Sequence, residues 1–253
     1  LVAYLAARSG GQRFILRMDD LDPQAVKAGA IEQQLDDLEW LGIEFDEGPR
    51  EGGNFGPYAQ SRRFAHYTHV LEQLNDMKLL YPCWCSRKEV IAAAQAPHAS
   101  DEGPIYPGTC RPQSLKRLVS LDDLPPQNGR APALRLNVSS ALQQMDLQTL
   151  SYQDLVFGRQ QVDPTNDFGD FVVRRRDGIA SYQLACAFDD WKMACGLVLR
   201  GSDLRLSTGR QLLFFHLMQW QVPQYAHIGL VLDSDGSRLS KRERSISIAS
   251  MRT

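Results

Sequence analysis

The stretch "GLVLRGSDLRLSTGRQLLFFHL", residues 196–217, has the pattern of one β-strand followed directly by one α-helix. Its first residues are apolar and end at Arg200, which is typical of a short buried strand. The next segment predicts a helix over 207–221, with Thr208 and Gln211 as its capping box. Because ligands of α/β sheets bind beyond the carboxyl ends of the strands, this unit predicts an α/β protein with a ligand site near Arg200.

Two further segments place polar residues after apolar runs. "RFILRM", residues 13–18, has the pattern of a buried strand and leads into an acidic cluster that contains Asp19. "DFVVRRRDG", residues 170–178, indicates another strand, and Tyr182 follows it. The alternation of such strands with helices predicts an open, mostly parallel α/β sheet. We therefore expect Asp19, Tyr182 and Arg200 to lie around one crevice at the strand ends.

The bulk composition is that of an ordinary globular protein. The 253 residues, 43% hydrophobic and 23% charged, can bury a sizeable core. No apolar run approaches the roughly 18 residues that a membrane span needs, and the opening "LVAYLAARSGG" lacks the basic start of a signal peptide. The net charge of −2 argues against a uniformly basic nucleic-acid binder but allows a local basic stripe. Five cysteines, an odd number, favour reduced thiols and a cytoplasmic protein.

Three of the five cysteines lie close together in "CWCSRKEVIAAAQAPHASDEGPIYPGTC", residues 83–110. Cys83 and Cys85 are two positions apart, so their thiols face the same side of an extended chain. A disulfide between such near neighbours is strained, whereas zinc binds thiolates with tetrahedral geometry. Together with Cys110, the segment offers three of the four ligands of a structural zinc site. A bound zinc would also stabilise residues 97–130, which are rich in turn-forming residues.

The residues alone do not decide which side chain is the fourth zinc ligand. Chemistry favours an imidazole first, then a carboxylate and then a phenol, and the candidates in that order are His98, Asp101, Glu102 and Tyr106. The alternative is a set of three unpaired buried thiols without a metal. Cys186 and Cys195 lie among apolar residues elsewhere, and we expect them to be small core residues.

Four segments, in their order and separation, resemble the catalytic domain of class I glutamyl-tRNA synthetases. They are "RMDDLDP" (17–23), "DFGDFVVRRRDGIASYQLACAFDD" (167–190), "LVLRGSDLRLSTGRQ" (197–211) and "LVLDSDGSRLSKR" (230–242). The likeness covers nearly the whole chain and is strongest to the family's short paralogues, the glutamyl-queuosine tRNA(Asp) synthetases. The chain ends shortly after "RLSKR", and its Cys-x-Cys followed by Tyr-x-x-x-Cys resembles the zinc site of those paralogues. The resemblance thus makes Tyr106 the fourth zinc ligand.

The resemblance implies a class I synthetase fold, which is a Rossmann-type parallel sheet with a zinc-bearing, loop-rich insertion. The first half of the catalytic domain is expected over 1–80, the zinc-binding insertion over 81–130, and the second half with a KMSKS-like loop over 131–253. The family's first strand, its Ser-Pro-Thr-Gly turn and its HIGH-type ATP motif are expected before "LVAYLAAR", which has the pattern of a helix interior. We therefore expect a chain that lacks its N-terminal part and is inactive or nearly so.

The resemblance also implies a two-step reaction. L-Glutamate attacks the α-phosphate of ATP, which is accompanied by Mg²⁺, and gives glutamyl-adenylate; the activated carboxyl then passes to the queuosine at the wobble position of tRNA(Asp). Adenylation needs positioned substrates and stabilised phosphate charge, not a covalent enzyme intermediate. The implied partners are L-glutamate, ATP and tRNA(Asp), bound by a monomer in the cytoplasm.

The resemblance assigns roles to four residues. Lys241 in "RLSK" corresponds to the second lysine of the KMSKS loop and is expected to bind the triphosphate, although alone this segment reads as a solvated basic loop. The Arg200 guanidinium is expected to bind a glutamate carboxylate through two parallel hydrogen bonds, with a structural ion pair as the alternative. Tyr182 is expected to hydrogen-bond the substrate, with a core tyrosine as the alternative. Asp19 stands where the family has Glu for the α-ammonium group, which shortens the reach by one methylene.

Two other functions remain open. The chain could be a fragment of a discriminating glutamyl-tRNA synthetase, which charges tRNA(Glu). It could also be a non-catalytic, zinc-bearing RNA-binding module of synthetase descent, which the retained Tyr182, Arg200 and Lys241 argue against. The basic run 174–176 could contact tRNA phosphates, but a solvated strand end is the simpler interpretation.

Overall fold

The computed structural model describes residues 1–22, 24, 26–93, 104–232 and 248–252. Within these ranges the helices are α1 (Val2–Ser9), α2 (Ala30–Trp40), α3 (Phe64–Asp76), α4 (Arg87–Ala93), α5 (Val138–Met145), α6 (Pro164–Asp167), α7 (Tyr182–Lys192), α8 (Arg205–Leu217) and α9 (Ile248–Met251). The strands are β1 (Leu80–Cys83), β2 (Ala133–Leu136), β3 (Leu150–Asp154), β4 (Gly158–Val162), β5 (Phe171–Arg174), β6 (Leu197–Gly201) and β7 (Gln224–Ile228). Among the helices so described, none has both the length and the apolar character to cross a membrane.

The strand that ends near Arg200 belongs to a four-stranded sheet in the order β4-β3-β7-β6. β6 pairs in parallel with β7 along its whole length, with Arg200 opposite His227. β3 meets β7 in parallel at Asp154 and Tyr225, while β4 returns antiparallel to β3. Helix α8 lies between β6 and β7 in the chain and is their crossover connection. The predicted α/β class with a parallel sheet is thus confirmed, and β4 is an antiparallel addition to it.

A second sheet, in the order β1-β2-β5, is antiparallel and supports the cysteine-rich segment. Leu80 lies opposite Leu136 and Cys83 opposite Ala133, so the chain leaves this sheet after β1 and returns to it at β2. The 84–132 segment is therefore an excursion between two neighbouring strands. The predicted domain boundaries at 80/81 and 130/131 stay a prediction.

Helices α7 and α8 pack together and form much of the core beside the parallel sheet. Their inner faces are fully buried at Leu184, Ala185, Ala187, Leu212, Leu213, Phe214 and Phe215. Each buried leucine or phenylalanine contributes about 1.5–3 kcal/mol to the free energy of unfolding. Trp191 at the end of α7 stacks on Trp220 with 4.7 Å between ring centroids. This packing fixes where the first turn of α7 stands relative to the end of β6.

The prediction of a regular strand over 13–18 is wrong. The chain there is extended but makes only isolated parallel bridges, Ile15 with Glu47 and Met18 with Ala59. Its partner segment over 45–59 is rich in glycine and proline and turns away between the two bridges, so no continuous ladder forms. The carboxyl end of this segment nevertheless delivers Asp19 to the site described below.

The capping box predicted at Thr208 and Gln211 is also wrong. A 3₁₀ turn over Ser202–Leu204 runs directly into α8, which begins at Arg205 and has no side-chain cap at Leu204. Thr208 and Gln211 consequently lie inside the helix and are fully buried. The Thr208 hydroxyl is left to bond a neighbouring strand residue, as described next.

Candidate active site and cysteine cluster

One face of helix α7 supplies most of the polar groups of the candidate active site. Tyr182, Cys186, Asp189 and Asp190 follow one another at helical spacing and project from the same side. The helix starts at this place because the Ser181 hydroxyl accepts a hydrogen bond from the backbone N–H of Leu184 at 3.4 Å. The site is thus built on a capped, rigid element.

Asp19 is held at the edge of this face by an arginine. The Arg17 Nε donates to Asp19 Oδ1 at 2.7 Å, and its Nη1 donates to Asp190 Oδ1 at 2.8 Å. The Asp19 side chain is 39% exposed while that of Arg17 is 16% exposed, so the carboxylate faces the open crevice from a buried anchor. Neither Arg17 nor Asp190 was predicted from the sequence, because their roles depend on a contact between residues far apart in the chain.

Asp189 is the buried centre of a second set of hydrogen bonds behind Asp190. Its carboxylate accepts from Arg63 Nε at 2.7 Å, from the Tyr67 hydroxyl at 2.8 Å and from Gln60 Nε2 at 2.9 Å. The side chains of Arg63 and Asp189 are 1% and 0% exposed. A buried carboxylate with three such donors is well compensated, so this network fixes α7 against α3.

Tyr182 opens the helix and lies between the charges of the site. Tyr182 is 38% exposed, but desolvation of its phenol, together with the nearby Cys186 thiol, raises the pKa of the phenol above its ordinary value, while Arg200 acts in the opposite direction. Asp19 also acts on this phenol, so charged groups from two other segments lie near it. The phenol therefore stays protonated and able to donate a hydrogen bond.

Arg200 closes the site from the end of β6. Its Nη2 donates to the Thr208 hydroxyl at 2.8 Å and its Nε donates to His227 Nε2 at 3.3 Å. The guanidinium carbon also lies 5.7 Å from the centroid of the Tyr225 ring. Thr208 and His227 were not predicted, although the parallel pairing of β6 with β7 places His227 directly opposite Arg200.

The structure places Asp19 and Arg200 near Tyr182, since both act on the pKa of its phenol, and Asp19 Oδ2 lies 3.9 Å from the sulfur of Cys186, one helical turn along α7. Of the three residues, only Arg200 lies at the end of a parallel strand, so the shared crevice stays a prediction. A carboxylate at one side, a guanidinium at the other and a phenol between them suit a small zwitterion that carries an extra acid group. Lys241, the fourth predicted residue, lies outside the described residues. Its assignment to the triphosphate stays a prediction.

Cys186 differs from the expectation of an ordinary core cysteine. Its side chain is buried, but its sulfur lies 3.5 Å from Arg17 Nη2 and 3.9 Å from Asp19 Oδ2. Burial raises the pKa of this thiol far above its ordinary value, so it stays neutral. The i, i+4 spacing from Tyr182 is the signal that could have placed it in the site. Cys195 is partly buried, and burial raises the pKa of its thiol to about 12.

Three cysteines and one tyrosine form a separate cluster at the end of β1. The sulfur atoms of Cys83, Cys85 and Cys110 all lie within 4.8 Å of one another, and 3.5 Å separates Cys85 from Cys110. The Tyr106 hydroxyl lies 3.5 Å from Cys83 Sγ and 3.7 Å from Cys85 Sγ. Tetrahedral zinc with Zn–S bonds of about 2.3 Å needs sulfur atoms about 3.8 Å apart, so this donor set fits zinc. His98, Asp101 and Glu102, the alternative fourth ligands, lie outside the described residues.

The cysteine cluster is tied to its surroundings by backbone contacts. Helix α4 begins directly after Cys85 with the predicted capping box, in which Glu89 N–H donates to Ser86 Oγ at 3.2 Å and Ser86 N–H donates to Glu89 Oε2 at 2.5 Å. The backbone N–H of Cys110 donates to the Tyr106 oxygen at 2.6 Å. Arg135 stacks on the Tyr106 ring at 3.7 Å from its centroid.

The basic run at 174–176 bonds to the protein itself. Arg174 donates to the Leu121 carbonyl and to Asp122, and Arg176 donates to the carbonyls of Trp84 and Cys85 at 2.7 Å each. Arg175 pairs with two aspartates. The simple interpretation as a solvated strand end is therefore wrong for Arg174, whose side chain is only 18% exposed. Arg176 is exposed just beyond β5, as that interpretation predicts, but it also binds the 84–132 segment.

A cavity of about 800 Å³ lies between the cysteine cluster and the candidate active site. Tyr182 and Gln183 of α7 form part of its wall. Five arginines and two aspartates also line it, namely Arg87, Arg135, Arg175, Arg176, Arg210, Asp170 and Asp177. This local positive charge contrasts with the net charge of −2 for the whole chain.

Comparisons with known proteins agree with this geometry. The family described as tRNA synthetases class I (E and Q), catalytic domain, matches residues 1–253. The Glutamyl-Q tRNA(Asp) synthetase of Nitratidesulfovibrio vulgaris is 41% identical over 252 residues, which are 100% of this chain and 74% of that protein. The protein of the same name from Symbiobacterium thermophilum is 41% identical over 253 residues, 100% of this chain and 75% of that protein.

Full-length glutamate ligases are also similar. Glutamate–tRNA ligase 2 of Alkalilimnicola ehrlichii is 38% identical over 248 residues, 98% of this chain and 50% of that protein. The crystal structure of a glutamate-tRNA synthetase from Elizabethkingia anophelis superposes with a TM-score of 0.72 at 29% identity and covers 94% of this chain and 48% of that one. The chain thus spans about half the length of these ligases and three quarters of the Glutamyl-Q proteins.

Proposed function

We infer that this chain, which belongs to the E and Q family of class I tRNA synthetases, serves the activation of L-glutamate with ATP and its transfer to tRNA. The expectation that the 253 residues alone are inactive or nearly so stays a prediction. The acceptor that we propose is the queuosine at the wobble position of tRNA(Asp). Support for this acceptor comes from two relatives at 41% identity over the whole chain whose name is Glutamyl-Q tRNA(Asp) synthetase. We further propose that the protein acts as a monomer in the cytoplasm.

The observation that supports the proposal is the approach of Asp19 and Arg200 to Tyr182, since both residues influence the pKa of its phenol. In our proposal the Asp19 carboxylate binds the α-ammonium group of glutamate, since Arg17 keeps this carboxylate in place. The Arg200 guanidinium, on the opposite side, binds the side-chain carboxylate, and the Tyr182 phenol donates a hydrogen bond to the substrate. The α-carboxyl group is then free to attack the α-phosphate of ATP.

The short side chain of Asp19 is held in place by Arg17. An aspartate is one methylene shorter than the glutamate of the family pattern, so its carboxylate needs either a deeper substrate or a bridging water. Arg17 already donates to both oxygens of Asp19, at 2.7 and 3.4 Å, and thereby restricts where the substrate ammonium group can approach. Affinity for glutamate therefore depends on Arg17 as well as on Asp19.

The chemical step that we propose requires charge stabilisation more than acid–base catalysis. Adenylation displaces pyrophosphate, and Mg²⁺ together with the Lys241 ammonium group would stabilise the negative charge that develops there. The arginine-lined cavity beside Tyr182 suits the phosphate backbone of the RNA acceptor, since guanidinium groups bind phosphates well.

A structural zinc ion completes the proposal. Cys83, Cys85, Cys110 and Tyr106 are the ligands we propose, because their donor atoms are already within the spacing of a tetrahedral site. The ion supplies folding free energy to the 84–132 segment, whose described residues contain little regular structure beyond α4.

Calorimetry with L-glutamate tests the amino-acid site directly. We expect the protein to bind L-glutamate, and the variant Arg200→Ala to lose this binding by at least about tenfold. The control variant His69→Gln, whose side chain is exposed on α3, should bind as the parent does. Absence of any glutamate binding would favour a non-catalytic RNA-binding module instead.

The acceptor needs a second experiment. The protein expressed from its complete gene should transfer radiolabelled glutamate to queuosine-containing tRNA(Asp) and leave tRNA(Glu) uncharged. The alternative function, a glutamyl-tRNA synthetase, is favoured by relatives such as the 38% identical glutamate–tRNA ligase. Charging of tRNA(Glu) would establish that alternative and refute the queuosine acceptor.

A further inference from the structure

A buried histidine behind Arg200 has no part in the function described so far. His227 lies on β7 directly opposite Arg200 on β6, and its side chain is 0% exposed. It belongs to a chain of polar contacts that begins at Asp154 on β3 and ends at the guanidinium. A buried imidazole needs partners for both ring nitrogens, so its contacts indicate what it does.

The imidazole of His227 contacts Asp154 through Nδ1, and Arg200 and the Thr208 hydroxyl, at 3.1 Å, through Nε2; Asp154 and Arg200 fix its tautomer, since a hydroxyl can donate or accept. The Nδ1 atom lies 2.5 Å from Asp154 Oδ2, and a carboxylate can only accept, so Nδ1 carries the proton. The Nε2 atom lies 3.3 Å from Arg200 Nε, and a guanidinium can only donate, so Nε2 is an unprotonated acceptor. His227 is therefore a neutral imidazole that presents a lone pair to Arg200.

Asp154 is itself held in the ionised state that this tautomer requires. Burial raises the pKa of Asp154, but the hydrogen bonds from His227 and from the backbone N–H groups of Phe157 and Val156 outweigh burial and lower it overall. Those two N–H groups donate to Asp154 Oδ1 at 3.0 and 2.9 Å. The carboxylate is thus oriented by the tight turn after β3, and it orients the imidazole in turn.

The guanidinium of Arg200 is held along one edge. His227 accepts from Nε and the Thr208 hydroxyl accepts from Nη2 at 2.8 Å. Within the part of the chain that the structure describes, Nη1 has no assigned hydrogen bond, and Nη2 retains a second N–H. These two nitrogens form the end of the guanidinium fork and match a carboxylate end-on.

We propose that His227 is a positioning residue for substrate recognition: as the neutral Nδ1–H tautomer, held by Asp154, it fixes the Arg200 guanidinium so that the Nη1 and Nη2 end faces the substrate carboxylate. This inference rests on the proposed function, because it names the group that makes Arg200 selective for an acidic side chain. His227 itself does not touch the substrate.

Protonation of His227 makes its contact with Arg200 repulsive. An added proton on Nε2 removes the lone pair that accepts from Arg200 Nε–H and gives both side chains a positive charge, with their nitrogen atoms 3.3 Å apart. The charged and titratable neighbours that face the ring are Asp154 and Tyr152 from β3, Arg200 from β6, Tyr225 from β7 and Arg205 from α8. Burial lowers the pKa of His227 most, and Asp154 opposes this effect. The neutral form therefore predominates at and above neutral pH.

The first test is the tautomer itself. ¹⁵N NMR of the histidine ring nitrogens should show a protonated Nδ1 and an unprotonated Nε2 for His227 near neutral pH, whether or not a substrate is bound. The exposed His69 serves as the internal reference for an ordinary solvated ring. An Nε2–H tautomer, or a doubly protonated ring, would overturn the proposal.

The second test is binding with a matched set of variants. His227→Phe removes the acceptor, and we expect the Kd of L-glutamate to rise about 10- to 100-fold. L-Glutamine, which has no side-chain charge, should be affected much less, so the preference for glutamate over glutamine should fall. His227→Gln offers an amide oxygen in place of Nε2 and should restore most of the affinity. His69→Gln should change nothing.

Two controls keep the result interpretable. Thr208→Val removes the other contact on the same guanidinium edge and should reduce the same preference, which covers the case in which His227→Phe fails to fold. In the parent, affinity for L-glutamate should fall as the pH drops from about 7.5 to about 5.5, and His227→Gln should lack this dependence.

The two proposals fail differently. If the parent binds L-glutamate and both His227→Phe and Thr208→Val bind it equally well, the positioning role is wrong and the proposed function stands. If the parent binds no L-glutamate, the proposed function is wrong and the positioning role falls with it.

Discussion

The two polar centres of this molecule are stabilised in opposite ways. The active-site crevice joins residues from five separate segments, and its charged groups already satisfy one another through Arg17, Asp189, Asp190, Thr208 and His227. The cysteine cluster joins residues within one short segment, and its thiols have mainly each other and one phenol as neighbours. The first centre is therefore preorganised by protein groups alone, whereas the proposed zinc ion would hold the cysteine cluster together.

The largest expected effect is the loss of zinc. A strong chelator, or Cys110→Ser, should remove the one zinc per chain and make the 104–132 segment sensitive to protease, since structural zinc sites contribute about 10–16 kcal/mol in small zinc peptides. Metal analysis and limited proteolysis measure this, with Cys195→Ser as the control. Full zinc content in Cys110→Ser would contradict the assigned ligand set.

A smaller but global effect is expected from the buried carboxylate behind the crevice. Asp189→Ala leaves the Arg63 guanidinium buried without its partner, and we expect the free energy of unfolding to fall by about 3–5 kcal/mol. Urea denaturation measures this. The exposed pair of Asp76 with Arg117 is the matched control, and Asp76→Ala should cost less than about 1 kcal/mol. Similar costs for the two variants would show that the crevice is not held by this network.

The variant Asp154→Asn is expected to weaken recognition of L-glutamate without changing the fold. The amide can donate to His227 Nδ1, which moves the ring proton to Nε2 and sets it against the Arg200 Nε–H. We expect the Kd of L-glutamate to rise about 10- to 100-fold while the far-UV circular dichroism spectrum stays unchanged. Unaltered affinity would show that Asp154 does not contribute to substrate recognition.

The smallest expected effect concerns the capping box of α4 beside the cysteine cluster. The Ser86 N–H and hydroxyl, followed by Arg130, lower the pKa of Glu89 from 4.5 to about 2. Because this folded-state pKa is depressed, the contribution of Glu89 to stability is complete above pH 4.5 and disappears as the pH falls through about 2. Hydrogen exchange of α4 should differ slightly between the parent and Glu89→Gln at pH 5 and converge near pH 2.

Sequence reasoning located Arg200 from the parallel strand that ends there, whereas Tyr182 follows an antiparallel strand and Asp19 follows a segment without a regular ladder. The structure places Asp19 and Arg200 near Tyr182, and it brings together Cys83, Cys85, Cys110 and Tyr106, the set that the family resemblance implied. It could not find the supporting residues, since nothing local in the sequence indicates that Arg17 meets Asp190 across 173 positions. The strand over 13–18 was overpredicted for a related reason: its partner segment decides whether a ladder forms.

Arg174 and Arg176 grip the cysteine-bearing segment through main-chain oxygens at Leu121, Trp84 and Cys85. Every amino acid has the same backbone carbonyl, so these hydrogen bonds do not depend on which side chain is present at the three positions. The segment's outward face can consequently accept many substitutions and still dock in one pose. Other contacts hold the same segment, since the Leu118 N–H donates to Asn75 and Arg111 donates to Asp170, so the loss of one arginine would loosen the segment without releasing it.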